Sequence, residues 1–398
     1  MLREIRGVLR NNYLKMRVIA RKIIGYPVLY NVNRVSEQNY SKRALLIYLT
    51  KPFRMKEDDP RFMNHQNLRQ CKQIASVLGE FGYVVDVADV EDRRFRPSTH
   101  YDLVIAHKVD IDPNMFPVDT LKVYLFTGLN HIVHNRNVRK RYQALSQRRG
   151  CLLTPHRIHT ENMPFVLGAD ALIGFGNDFV VSTWREIFSG PIYAFYNYGF
   201  REIRFSQERK DFSLARKNFL FWGTPDYVAK GLDLLLEIFP RHPELHLYIG
   251  ANLEYDRAFC RCYRRELYET PNIHPMGWVR VNSSEFYQLM NKCGYVILPS
   301  CSEASAGSVV LCMSAGLVPI ITKEAGIDTE DFGITLANDS LEEIEKTILE
   351  MANLPAERLR ERSMRTREVA EAKYSEEAFI RRWREILGDL LKLERENR

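Results

Sequence analysis

No run of eighteen or more apolar residues occurs in this chain, so no segment is long enough to cross a bilayer as a helix. The amino terminus, MLREIRGVLRNNYLKMRVIARK, is broken by charge throughout and lacks the apolar core of a signal peptide. Cysteine is sparse: seven residues, an odd count, with no CxxC pair and no metal-ligand spacing, Cys260 and Cys262 standing only two apart. That usage predicts reduced thiols in the cytosol and no structural zinc. No aromatic–basic module of the nucleic-acid-binding types is present, so nucleic acid is not an expected partner. Low-complexity segments are absent, and the first apolar strand is followed by a long charged stretch, KPFRMKEDDPRFMNHQN, with no glycine.

What the chain does have is length, ordinary hydrophobic content and an uneven charge. Its 398 residues suit two domains better than one, and a 45% hydrophobic share is enough for a sizeable core. The net charge is +7, concentrated at the start, where residues 1–22 hold seven Lys or Arg against one acid, Glu4. Leu2, Ile5, Leu9, Met16, Ile19 and Ile23 recur at helical spacing among them. A basic amphipathic helix of this kind lies on an anionic membrane surface or packs on the body of the protein. The expected location is cytoplasmic, with peripheral attachment at the inner face of a membrane through residues 1–24.

From residue 43 short apolar runs alternate with helical stretches. ALLIYL, YVVDVAD, YDLVIAH, KVYLFTG, ADALIGFG and PIYAFYN read as strands, with a helix over 67–82 ending in glycine. The cycle restarts with KNFLFWG, LHLYIGA, NIHPMGWV, YVILP and LVPIIT, again separated by helices. RAFCRCYRRELYET reads as one of these, and SLEEIEKTILEMAN and SEEAFIRRWREILGDLLKLE as the last two. The pattern predicts an α/β protein of two doubly wound Rossmann-like domains facing a cleft. The boundaries read as an arm (1–42), an N-terminal domain (43–205), a C-terminal domain (206–373) and a terminal helix (374–398).

Ligands of open parallel sheets sit beyond the carboxyl ends of the strands. There the sequence offers PSCSEASAGSVV, with Glu303 alone among small residues and Gly307 and Ser308 opening a helix. Unpaired N–H groups and the dipole make a helix start a site for an anion, and small neighbours (Ser305, Ala306) leave room for it. A lone carboxylate nearby suits hydroxyls rather than phosphate. The corresponding loop of the first strand–helix unit, GTPDYVAKG, presents Lys230 as a point charge for phosphate. A nucleotide sugar carries both kinds of group. The tripeptide DID (110–112) stands alone and is not read as a metal site; no metal is expected.

In the order KG-helix, YIG strand, MGWV, PSxxE, short helix ending in AG, and VPIIT, residues 217–335 resemble the GT-B glycosyltransferases of the retaining family four, also called group 1. The resemblance implies transfer of a sugar from a nucleotide-diphosphate sugar with retention and without metal. It also implies a donor held mainly by the C-terminal domain and an acceptor, a glycan or lipid, by the N-terminal one. The nucleotide sugar is a co-substrate, and no cofactor is implied. On the matching positions Glu303 contacts the donor sugar, while Lys230 and the backbone at 305–308 hold the diphosphate. His131, in VYLFTGLNHIVHN, takes the place of a histidine bordering the sugar; His134 is the neighbouring candidate. The basic stretch HNRNVRKRYQALSQRRG is a helix, either a solvated face or an electropositive wall for an anionic acceptor. Two positions depart from the pattern: Leu311 stands where the family has a ribose-binding glutamate, and Thr224 where it has an arginine. Those departures keep alternatives in view, a GT-B fold that binds without turnover or a GT-B type nucleotide-sugar epimerase.

Overall fold

The computed structural model describes residues 26–33, 42–56, 58–63, 65–204 and 206–396, so the basic segment 1–24 lies outside the described residues. Two six-stranded sheets organise the chain. The first contains β1 (Lys42–Tyr48), β2 (Tyr83–Asp89), β3 (Leu103–Ala106), β4 (Leu121–Phe126), β5 (Ala171–Phe175) and β6 (Ile192–Phe195), in the order β2-β1-β3-β4-β5-β6. The second contains β7 (Asn218–Trp222), β8 (His246–Gly250), β9 (Ile273–Pro275), β10 (Tyr295–Leu298), β11 (Val318–Thr322) and β12 (Ile334–Leu336), in the order β12-β11-β10-β7-β8-β9. The pairs around β1 and around β10 run parallel. Both faces of such sheets are covered, and the sequence shows it: β2, β10 and β11 are buried at every residue.

Helices fill the crossovers. Helix α1 (Gln66–Glu80) buries Leu68, Cys71, Ile74, Ala75, Val77 and Leu78 on one face, a 3.6-residue repeat. Helix α2 (His131–Arg149) starts where the Asn130 side chain accepts from the N–H groups of Ile132 and Val133, at 2.9 and 3.1 Å. It ends at Gly150 in the left-handed region, φ 67°. In the second half come α3 (Leu232–Ile238), α4 (Gly307–Ser314), α5 (Leu341–Ala352), α6 (Ala356–Lys373) and α7 (Glu376–Glu396). Arg384 of α7 grips Glu80 of α1 through two bonds of 2.6 and 2.9 Å.

Contacts divide the chain into two units. One holds the described residues up to Leu125, Asn162–Leu172 and the end of the chain from Trp383; the other holds Phe126–Glu161 and Ile173–Arg382. The second unit therefore contains α2 as well as the second sheet, and everything described below as the candidate site lies within it.

Three features differ from the sequence reading. Cys151 and Cys262 form a disulfide (S–S 2.01 Å) rather than remaining reduced, and the other five cysteines are free. The partners lie 111 residues apart, beyond any local spacing rule. The segment RAFCRCYRRELYET breaks at Tyr263 into helices Arg257–Cys262 and Arg264–Glu269. Strand β12 and the 18-residue α6 are additional, as are the short helices Pro60–Met63, Pro164–Leu167, Asp178–Arg185 and Phe212–Ala215.

Candidate active site

The order β11-β10-β7-β8 makes β7 and β10 neighbours whose following helices lead away in opposite directions along the sheet. That is a topological switch point, where the loops at the carboxyl ends of the strands part and leave a crevice. The loop after β7 carries Thr224, Asp226 and Lys230, and the loop after β10 carries Glu303.

The two loops are fitted to each other closely. Gly231 follows Lys230 at φ 79°, and a Cβ there would stand 2.4 Å from the Pro299 carbonyl oxygen. Gly326 behaves likewise: φ 67°, with a Cβ position 1.4 Å from the Ala304 oxygen. Only glycine tolerates both the backbone angle and the approach. Backbone bonds then brace the loop, from Cys301 N–H to Ala229 O at 2.8 Å and from Glu303 N–H to Glu324 O at 2.9 Å. Asp226 occupies the left-handed region at φ 82°, one of the few non-glycine types that does so readily, and accepts from the Tyr142 hydroxyl at 2.6 Å.

On this frame Lys230 donates a hydrogen bond to Glu303. The lysine side chain is 9% exposed and the glutamate side chain 20%. The two charged groups that the sequence assigned to opposite ends of one ligand thus meet each other directly. An ammonium and a carboxylate so paired offset part of each other's desolvation cost.

The small residues after Glu303 form the other wall. Ser305 is buried; its Oγ accepts from the Asn197 N–H at 3.0 Å, and Asn197 Nδ2 donates to its carbonyl at 3.3 Å. Ala306 is the buried cap of α4, and its methyl side chain makes no capping hydrogen bond at the helix start. Gly307 and Ser308, half-buried, are its first two residues. Leu311, the position where the resembled family has a ribose-binding glutamate, is 8% exposed and belongs to the hydrophobic core with Val309, Val310, Cys312 and Met313. Thr224 is exposed at the end of β7.

The histidines divide. His131, the first residue of α2, bonds through Nδ1 to the Thr160 carbonyl at 2.7 Å and stacks on His159 at 4.6 Å. His134, one turn further, bonds through Nδ1 to Ser302 Oγ at 2.7 Å, next to Glu303. Burial pushes both rings below the ordinary histidine pKa and so favours their neutral forms. The nearer histidine to the Glu303 loop is therefore His134. The sequence offered one signal, Asn130, whose capping side chain fixes where the helix begins.

The basic stretch is neither a wholly solvated face nor a bare wall of charge. Arg141 is buried and donates to Pro299 O at 2.9 Å and Asp339 at 2.8 Å, while Arg148 bridges Asp233 and Glu237 at 2.7 and 3.0 Å. Burial raises the Asp233 carboxyl to about 6 despite those guanidinium neighbours. Beyond Cys301 a cavity of about 480 Å³ opens between α2 and the ends of β10–β12; Lys140, Arg141, Glu324 and Asp339 help to line it. Among the described residues no group of three or more His, Cys, Asp or Glu is arranged to hold a metal ion. Asp112 of the DID tripeptide accepts from the Asn114 N–H at 2.9 Å and caps a 3-10 turn.

Residues 216–353, which span the second sheet and the loops just described, match the family described as glycosyl transferases group 1. No curated protein sequence matches the chain. Among solved structures, sucrose-phosphate synthase from Thermosynechococcus elongatus superposes with a TM-score of 0.60 at 11% identity, covering 88% of this chain and 100% of its own. A glycosyltransferase from Rickettsia africae ESF-5 gives 0.55 at 12% identity, covering 89% and 100%. Anabaena HepE, solved in complex with UDP-glucose, gives 0.54 at 11%, covering 87% and 100%. Likenesses at this identity establish the fold, which is the GT-B architecture of two Rossmann-like sheets.

Proposed function

We propose that this protein is a glycosyltransferase that moves a sugar from a nucleotide-diphosphate sugar to a glycan or lipid acceptor, with retention and without a metal ion. The observation that carries the reading is the pairing of Lys230 with Glu303 at the switch point of the second sheet, beside the start of α4. The donor's diphosphate draws Lys230 away from Glu303 and lies against the backbone at Gly307 and Ser308. Glu303, released, accepts hydrogen bonds from the sugar hydroxyls. As the bond from the anomeric carbon to phosphate oxygen breaks, charge grows on the leaving diphosphate, and fixed donors aimed at it stabilise the transition state more than the ground state. The leaving phosphate oxygen takes the proton of the acceptor hydroxyl, whose oxygen bonds to the anomeric carbon on the face just vacated. That sequence preserves the configuration and needs no separate general base.

The cavity beside Cys301, with both cations and carboxylates on its walls, suits a polyhydroxyl ligand that also bears an anionic group. The segment 1–24 would bring the protein to an anionic membrane from the cytoplasmic side. A second reading, a GT-B fold that binds nucleotide sugars without turning them over, draws on Leu311 in the core and Thr224 in place of a cation. Calorimetry with UDP, GDP and ADP and their glucose or mannose conjugates, followed by an assay for released nucleoside diphosphate in the presence of a chelator, tests the proposal. Binding without release selects the second reading; absence of binding rejects both.

A further inference from the structure

The side chains of His134, Asn137 and Arg141 stand at i, i+3 and i+7 on α2, so they share one face of the helix. All three meet the loop that leads to Glu303. Arg141 donates to Pro299 O at 2.9 Å, Asn137 Nδ2 donates to Cys301 O at 3.0 Å, and His134 Nδ1 lies 2.7 Å from Ser302 Oγ. Residues 299, 301 and 302 are thereby held from one side along the stretch that ends at Glu303.

We infer that this face of α2 is a clamp that positions Glu303 for the donor sugar, with His134 as its key, proton-sensitive member. The inference rests on the donor-site reading of Lys230 and Glu303 and adds three positioning residues to it.

The chemistry of His134 is set by its second nitrogen. Nε2 lies 3.2 Å from the Arg157 carbonyl, an acceptor only, so Nε2 carries the hydrogen. Nδ1 of the neutral ring is then an acceptor, and the Ser302 hydroxyl donates a hydrogen bond to it. A protonated ring would carry hydrogen on both nitrogens and could no longer accept from Ser302. The groups facing the ring act in opposite directions: His131 disfavours its protonation, Asp226 and Glu303 favour it, and His159 packs against it at 4.4 Å. Burial is the largest influence and holds the native pKa down. The Ser302 bond is therefore complete above the ordinary histidine value of about 6.5 and is lost as pH falls through the lower native value.

The test uses the full-length protein and three probes, UDP-glucose, GDP-mannose and ADP-glucose, each beside its nucleoside diphosphate, by calorimetry. For the probe that binds, His134→Ala and Asn137→Ala should each weaken the nucleotide sugar by about fivefold while leaving the nucleoside diphosphate within about twofold. In a Glu303→Gln background the same substitutions should have no further effect, because they act through Glu303. His134→Gln, whose amide can both accept from Ser302 and donate to Arg157, should retain wild-type affinity. It should also lose the wild type's fall in sugar affinity on acidification below about pH 6.5. Equal losses for sugar and diphosphate ligands, or undiminished losses in the Glu303→Gln background, would overturn the clamp while leaving the donor site standing. A wild type that binds none of the six ligands would overturn the donor site itself, and the clamp with it.

Discussion

Replacing Lys230 by methionine removes the ammonium and keeps most of the stem. In the free protein it leaves Glu303, whose side chain is 20% exposed, beside an apolar side chain. Breaking a fully buried ion pair by removing one partner costs about 3–5 kcal/mol; the exposure of Glu303 admits water and lowers the expected loss to about 1–3 kcal/mol. Lys230→Met should therefore melt at a lower temperature, and Lys230→Met/Glu303→Gln should recover most of the difference, because it leaves no unpaired charge. Binding separates the partners further. Lys230→Met should weaken a nucleoside diphosphate by at least tenfold, about 1.4 kcal/mol or more. Glu303→Gln should behave oppositely: it frees Lys230 from its partner, so diphosphate affinity holds or rises while nucleotide-sugar affinity falls. Thermal unfolding followed by circular dichroism and calorimetric titration supplies both readings. Unchanged diphosphate affinity in Lys230→Met, or equal losses of both ligands in Glu303→Gln, would refute the assignment of the two charges to the two ends of the donor.

Three further outcomes are expected. Leu311→Glu places a carboxylate in the core cluster, so it should lower the melting temperature and weaken nucleotide binding; a gain in affinity would mean that the ribose still lies there and that the site is a lapsed family site. Cys151→Ser, or reduction of the wild type, should destabilise the protein by about 2–4 kcal/mol, since the Cys151–Cys262 link closes a long loop; identical melting with and without reductant would contradict it. Removal of residues 1–24 should leave the fold intact and weaken sedimentation with anionic vesicles at low salt, by roughly 1 kcal/mol for each basic residue that reaches the surface. Equal sedimentation with and without the segment would exclude the membrane reading.

The strands were legible because each is a short apolar run bounded by turns or charge, and a doubly wound sheet buries such runs on both faces. Helix α6 was not legible for the opposite reason. AERLRERSMRTREVAEAK buries little beyond Leu359, Ser363, Thr366, Val369 and Ala370. It is supported by ion pairs along its length, such as Arg358–Glu361 and Arg367–Glu371, and by the Ser363 hydroxyl donating to Gly316 O. Strand β12, with only three residues, is too short to carry a periodicity. The disulfide joins residues that only tertiary structure brings together.

In the site, Lys230 and Glu303 could be singled out because each follows a strand in a loop rich in small residues. Their direct contact could not, because it depends on Gly231 and Gly326 letting two backbones approach within the reach of a side chain. The same limit governs His131 and His134, three residues apart on one helix, and Leu311, whose helix turns it into the core.

The most direct test of glycosyl transfer is a proton NMR time course of the wild type with the nucleotide sugar it binds, in the presence of a chelator. Retaining transfer at Glu303 predicts release of nucleoside diphosphate together with free sugar or glycoside that first appears with the donor's own anomeric configuration, and no release by Glu303→Gln. Inverted product, release that the chelator abolishes, or turnover undiminished in Glu303→Gln would contradict it.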